Sequence, residues 1–197
     1  YSRGELSSVV ESQILTASEK ISDEKPCVNS KNMSQYLALL LVLLENNIKN
    51  LERIETEIIP KLYFILISLP ESELSYEILF FFGCLAENSN DYYSTFLLKN
   101  NILKIYEKLL CNSKLEKRIK TEILWTLSNL EVSNSTKNSK YFCGYPSIFQ
   151  ELLNIFNTES SAKIRFECIY CICNFTGALN SSQLNILLNM NMLNKKI

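Results

Sequence analysis

The sequence predicts an all-α protein, a solenoid of stacked helical repeats, and three observations predict it. The first is a stripe that recurs. In Glu122-Ile-Leu-Trp125-Thr-Leu-Ser128-Asn129-Leu130, the residues Glu122, Trp125 and Asn129 stand at i, i+3 and i+7, one face of a helix. Forty-five residues on stands Glu167-Cys-Ile-Tyr170-Cys-Ile-Cys-Asn174-Phe175, and forty-five residues back stands Glu77-Ile-Leu-Phe80-Phe-Phe-Gly83-Cys84-Leu85. A period of this length belongs to arrays in which each unit buries its face only against its neighbours. The second is the scarcity of helix breakers: 4 Gly and 4 Pro, against about nine to fourteen of each at average usage. The third is a rhythm of apolar segments, short, longer, longest, repeated along the chain.

Taken in order, Leu6 to Ile21 has helical spacing, and a polar loop from Ser22 to Lys31 holds Pro26. Ser34 caps a helix to Asn46 that is apolar nearly all round and so belongs between neighbours. Ile48 to Glu55 is a short helix. Ile58 to Leu69 is a longer one, with Pro60 tolerated in its first turn and Pro70 ending it. Ser72 or Ser75 caps the next helix, which carries Glu77, Phe80 and Cys84. Asp91 to Leu98 is short, Ile102 to Cys111 longer, and Leu115 to Leu130 carries the central stripe. Glu131 to Lys140, rich in Ser and Asn, reads as a mobile loop. Pro146 opens a helix to Phe156. Ala162 to Thr176 carries the third stripe, with Gly177 as its C-cap. Ser181 or Ser182 starts a last short helix to Met190.

Three helices per unit separate the armadillo array from the two-helix HEAT array. The expectation is therefore a right-handed superhelical armadillo solenoid of about four to five three-helix units. It is a single array over 1–197. Residues 1–31 form a poorly defined first unit, the longest helices fall near 34–46, 75–88, 115–130 and 162–176, and a truncated last unit runs to 197. The longest helix of each unit carries the stripe, so successive stripes line one concave surface.

Composition narrows the function. The formal net charge is −1, and basic residues are scattered, which gives no electrostatic case for nucleic acid or an anionic membrane. The longest apolar run, Leu37 to Leu44, falls short of the ~20 residues a bilayer span needs. No signal peptide opens the sequence, and Tyr1 suggests numbering that begins inside a longer protein. The 7 cysteines, an odd number, read as reduced thiols. The sequons at Asn32, Asn134, Asn174 and Asn180 then carry no meaning. The chain has no histidine, no phosphate-cradling glycine loop and no nucleophile paired with a base, so it does not read as an enzyme.

The stripe has a chemistry of its own. Asparagine offers an acceptor and a donor, matching a peptide backbone. Aligned asparagines on parallel helices can hold an extended peptide whatever its sequence. Gaps between aromatic planes admit the stems of Lys or Arg, with cation–π attraction of ~0.5–2 kcal/mol per site. Glu122 and Glu167, one turn earlier, can receive the charged heads. Bland readings stand beside this one. Trp125 taken alone is an ordinary core residue, and Asn129 can cap a neighbouring turn. Cys168, Cys171 and Cys173 contain C-x-x-C but no second pair at zinc spacing, and read as small-residue packing. Tyr92 and Tyr93 read as an exposed pair.

These residues carry a resemblance. The chain resembles the importin α (karyopherin α) armadillo family, in the C-terminal half at about repeats 4–7. Glu122 to Leu130 is similar to the family's E-x-x-W-x-[IL]-S-N-I third helix, and Asn174 to Leu184 to its N-x-T-S-G-G-T-x-x-Q-I segment. Phe82-Gly83-Cys84-Leu85 resembles V-G-N-I of the preceding repeat. Asn100 to Leu110 and Asn191-Met192-Leu193 are similar to segments that open second helices, usually with glycine. The resemblance implies that Glu122, Trp125, Ser128, Asn129, Glu167, Tyr170 and Asn174, together with Phe80 and Cys84, contact a Lys/Arg-rich nuclear localisation peptide. Tyr170 stands where the family has Trp, Phe80 and Cys84 where it has Arg and Asn, and Leu39 and Leu43 where repeat 4 has its stripe. No basic importin β-binding segment is visible, so a fragment or a shortened, divergent member is expected.

The function so implied is a nuclear import adaptor, without catalytic role, cofactor or metal, working in cytoplasm and nucleus. Its partners would be cargo peptides and, through regions not seen in this sequence, importin β and an export receptor. The alternative is an armadillo scaffold whose groove is degraded and binds a non-basic partner.

Overall fold

The computed structural model describes residues 58–87, 91–132 and 140–182 continuously, with 12, 35, 37, 38, 56 and 185 singly. Every regular element among them is a helix. The chain divides into two compact units, Tyr1–Phe82 and Gly83–Ile197. The expected helices at Leu6–Ile21 and Ile48–Glu55, most of the one from Ser34, the loop after Val132 and most of the last helix lie outside the described residues.

In the first unit, α1 spans Ile59–Ser68 and α2 begins at Glu73, running to Glu87. Pro60 sits in the first turn of α1, where its missing N–H costs no hydrogen bond. Ile59, Leu62, Ile65 and Leu66 are buried, while Phe64 and Ile67 on the other face are exposed. The corner to α2 is tied by two serines. Ser72 Oγ donates to the Leu69 carbonyl (2.8 Å) and accepts the Ser75 N–H (3.1 Å), capping α2 and holding it to the end of α1. Ser75 Oγ donates to that same carbonyl, so its own burial leaves no unmet hydroxyl. Tyr63 and Phe82 meet edge to face, centroids 5.4 Å apart.

In the second unit, α3 (Asp91–Lys99), α4 (Ile102–Leu110) and α5 (Lys117–Val132) form one three-helix repeat. A helical turn at 140–142, then α6 (Pro146–Thr158) and α7 (Ala162–Ala178), form the next. Helix α5 packs on α7, α6 on both α7 and α4, and α3, α4 and α5 on one another. The tight corner between α3 and α4 is made by Asn101, in the left-handed region at φ 63° and ψ 30°. Asparagine tolerates that conformation better than most residues. Asn100, which the sequence reading took for the glycine's replacement, instead caps α3 by donating Nδ2 to the Phe96 carbonyl (2.9 Å).

The core follows from helical spacing. On α4, Ile102, Leu103, Ile105, Tyr106, Leu109 and Leu110 are buried, with Lys104 and Lys108 on the outer face. On α5, Ile119, Ile123, Leu124, Leu127 and Leu130 are fully buried, each contributing about 1.5–3 kcal/mol of apolar burial. Buried Thr126 satisfies its hydroxyl on the Glu122 carbonyl (2.8 Å) one turn back. On α7, Ile164, Cys168, Cys171 and Phe175 point inward, and Phe175 packs against Phe149 and Phe142 at 5.1 and 5.6 Å.

Two expectations are corrected. Gly177 is not a C-cap: α7 runs through it to Ala178 and no described glycine has positive φ. The helix ends instead on Leu179 in extended conformation, so a glycine was not required for the stop. Tyr92 is exposed, but Tyr93 is buried with only 6% of its surface accessible. Adjacent residues on a helix point about 100° apart, so the exposure of Tyr92 does not carry over to Tyr93.

Candidate functional site

On α5 the four stripe residues Glu122, Trp125, Ser128 and Asn129 are all half-buried, at the margin of a helix whose other flank is sealed. On α7, Glu167 and Asn174 are half-buried and Tyr170 is 50% exposed. Phe80 of α2 is exposed, and Cys84, one turn on, is half-buried and outside any disulfide. The packing of α5 on α7 brings two of the three stripes together, because both helices hold the same place in their repeats.

The carboxylates interact. Glu122 is held above the ordinary carboxylate range, chiefly because burial penalises its charge; Lys163 and Arg118 pull it down and Glu167 pushes it up. Among the described residues, neither Glu122 nor Glu167 is in an ion pair. Two neighbouring carboxylates with partial desolvation favour a cation between them.

The asparagines are not equivalent. Asn174 Nδ2 donates to the Ser128 carbonyl (3.3 Å) and Ser128 Oγ (3.4 Å), bonding α7 to α5 at the stripe. Asn129 Nδ2, its counterpart one repeat earlier, is buried and has no hydrogen-bond partner. Buried donors are nearly always paired, so this amide keeps a hydrogen-bonding capacity that the fold itself does not use. The aromatics differ too. The six-membered ring of Trp125 lies on Gly83 so closely that a Cβ there would fall 2.2 Å from Cζ3 and 2.4 Å from Cε3. Tyr170 instead stands out and meets Phe166 edge to face, centroids 4.9 Å apart.

An ionic clamp holds the α5–α7 pair at one end. Glu159, just before α7, takes Lys117 (3.3 Å) and Lys120 (3.4 Å) from the first turn of α5 and accepts the Ser161 N–H (3.1 Å). That N–H and the two ammonium groups, less a smaller cost of burial, lower its carboxyl to about 2. Arg165 closes the corner on the carbonyls of Glu159 (2.7 Å) and Ser160 (3.0 Å).

The cysteines of α7 split. Cys168 and Cys171 are fully buried and Cys173 is exposed. Burial pushes the Cys168 thiol up to about 12, which suppresses the thiolate that metal binding or nucleophilic attack would need. Among the described residues no cluster of acidic or sulfur side chains could hold a metal, and no helix is long and apolar enough to cross a membrane.

Sequence reasoning missed three parts of this face. Phe166 is 57% exposed and Ile169 40% exposed, extending the Tyr170 surface along α7. Their spacing, i−4 and i−1 from Tyr170, was legible as a helical face. Lys163 and Arg118 bear on Glu122, and they too lie one turn before a stripe glutamate. The seat at Gly83 had no local signal, since it depends on which side chain the next repeat lays over it.

No family model matches the chain, and no curated protein matches it. Among solved structures, the chain is similar to a designed armadillo repeat protein in complex with the peptide (KR)4, with 16% sequence identity and a TM-score of 0.69. The match covers 92% of this chain and 70% of that one. Identity at that level speaks for the fold: the protein has the all-helical architecture of an armadillo repeat solenoid.

Proposed function

We propose that the protein is an armadillo interaction module that binds extended Lys/Arg-rich peptides along the stripe face, and that it serves as a nuclear import adaptor of the importin α kind. The observation that carries the reading is the Glu122–Glu167 pair, carboxylates on neighbouring helices within electrostatic reach of each other and without an ion-pair partner among the described residues. A Lys or Arg head placed between them relieves their repulsion and the cost of burying Glu122. Trp125 and Tyr170 would flank the aliphatic stem, Tyr170 with the weaker cation–π face. Asn129 would bond the peptide main chain. Its orphaned Nδ2 has no competing partner to lose, and a turn about χ2 exchanges the donor and acceptor ends of the amide. Ser128 and Asn174, already bonded to each other, would frame the floor. Cys84 would extend the face toward the peptide's other end. The solved neighbour was captured with a peptide of alternating Lys and Arg, which is consistent with this chemistry. As an adaptor it would work in cytoplasm and nucleus, with importin β and an export receptor as further partners.

A second reading is an armadillo scaffold for a non-basic segment. It is favoured by the exposed row Phe166, Ile169 and Tyr170, which offers apolar area rather than charge. Titration of fluorescently labelled (Lys-Arg)4, an acidic peptide and an apolar peptide distinguishes the two. Salt-sensitive binding of the basic peptide, weakened by Asn129→Ala and Trp125→Ala, is expected. Indifference to salt and to both substitutions removes the adaptor reading, and preference for the apolar peptide installs the scaffold in its place.

A further inference from the structure

Corresponding positions in successive repeats show the stripe aromatic in two poses. Trp125 lies down on Gly83, its ring filling the space where a side chain would begin. Tyr170 occupies the same place one repeat later, and the residue corresponding to Gly83 is then Ser128. There the space holds a hydroxyl, Asn174 Nδ2 bonds to it and to its carbonyl, and Tyr170 stands half exposed beside Phe166. The asparagines follow suit. In the repeat after the glycine, Asn129 Nδ2 is buried with no partner; in the repeat after the serine, Asn174 is bonded.

We infer that the residue at this position, Gly83 or Ser128, sets the pose of the aromatic in the repeat that follows, and so is a positioning residue for the stripe. Glycine opens a seat into which the ring lies down, leaving its asparagine uncommitted. Serine closes the seat, engages the asparagine and turns the ring outward. The physical cause is volume at one atom: a methyl group at Gly83 would collide with two carbons of the indole, and the movable partner is the indole. The pose itself needs no ligand. Only its consequence rests on the peptide-binding reading: the Trp125 repeat would offer a free amide to a main chain, and the Tyr170 repeat would offer a protruding ring.

The chain has a single tryptophan, so its fluorescence reports the seat directly. Gly83→Ala is expected to shift the emission of Trp125 to the red and to increase its quenching by acrylamide, with helical circular dichroism retained. The reciprocal experiment works outward. In a Trp125→Phe, Tyr170→Trp background the indole at position 170 begins solvent-exposed, and adding Ser128→Gly should shift it to the blue and protect it from quencher. That arm decides the matter if Gly83→Ala fails to fold. Unchanged emission in Gly83→Ala, or an indole at 170 that ignores Ser128→Gly but settles on Phe166→Thr, overturns the inference. Titration with (Lys-Arg)4 is read separately. If the wild type does not bind while both fluorescence shifts occur, the peptide reading fails and the positioning role stands.

Discussion

The thiol of Cys171 on α7 donates to the main-chain carbonyl of Leu124 on α5, 3.0 Å away and 47 residues distant in sequence. Both residues are fully buried, so the two helices touch there with no room between backbone and side chain. A small residue is demanded by the approach, and cysteine adds a weak donor to a carbonyl with a spare lone pair. Cys171→Leu should overpack the interface and destabilise by about 1–3 kcal/mol, lowering Tm by roughly 2–4 °C per kcal/mol. A thermal melt checks it; an unchanged Tm would mean the interface has slack that the burial denies.

The Glu159 clamp predicts an acid limb. Its carboxyl titrates at about 2 in the folded chain, against roughly 4.3 unfolded. A depressed carboxyl contributes stability that is present above the unfolded value and lost as pH falls from there toward about 2. Glu159→Gln should therefore flatten the loss of stability on acidification and cost about 1 kcal/mol at neutral pH, because Lys117 is largely exposed and screened. Urea melts across that range measure both; parallel acid limbs in wild type and variant would refute the clamp.

The two asparagines should behave oppositely. Asn174→Ala breaks its bonds to Ser128 and should cost about 1 kcal/mol. Asn129→Ala removes a buried donor with no partner and should leave Tm unchanged or raise it, since such a group costs about 1–3 kcal/mol unpaired. On the proposed function Asn129→Ala also weakens peptide binding. Equal destabilisation by the two substitutions would show that Asn129 is bonded after all.

Binding of a basic peptide should weaken on mild acidification. The raised carboxyl of Glu122 takes up its proton at a higher pH than an ordinary glutamate, so its attraction for a cation fades early as pH falls. Protonation relieves the folded chain, so stability gains as pH falls through that same raised value. Glu122→Gln should abolish this early pH dependence and weaken binding about tenfold, equivalent to ~1.4 kcal/mol, without lowering Tm. Titration of labelled (Lys-Arg)4 at several pH values reads the effect, and identical pH profiles would clear Glu122 of the role.

Much of the fold was legible in sequence because a repeat announces itself by period and a helix by spacing. Pro60 and Pro146 open helices where they were expected to, and the ends of α1, α3 and α4 fall within a residue of expectation. Ends without strong punctuation drifted. Helix α5 starts two residues late and α7 passes through Gly177, since a terminal turn is decided by small differences between helix and extended backbone. The stripe was legible as a list of residues but not as an arrangement. The two stripes that carry asparagine look alike in sequence, yet they gave one aromatic lying down, one standing out, one asparagine bonded and one orphaned.

By itself the amino-acid order determined that this chain is helical, that its helices recur every forty-five residues, and which face of each longest helix carries Glu, an aromatic and a small polar residue. Those are local or periodic properties, set by backbone spacing within a few turns. Only the tertiary structure decided what each of those side chains meets: Gly83 beneath Trp125, Ser128 beside Asn174, Lys120 on Glu159, Leu124 under Cys171. Partners separated by about forty residues are chosen by close packing between helices, where one atom more or less at a single position redirects a ring.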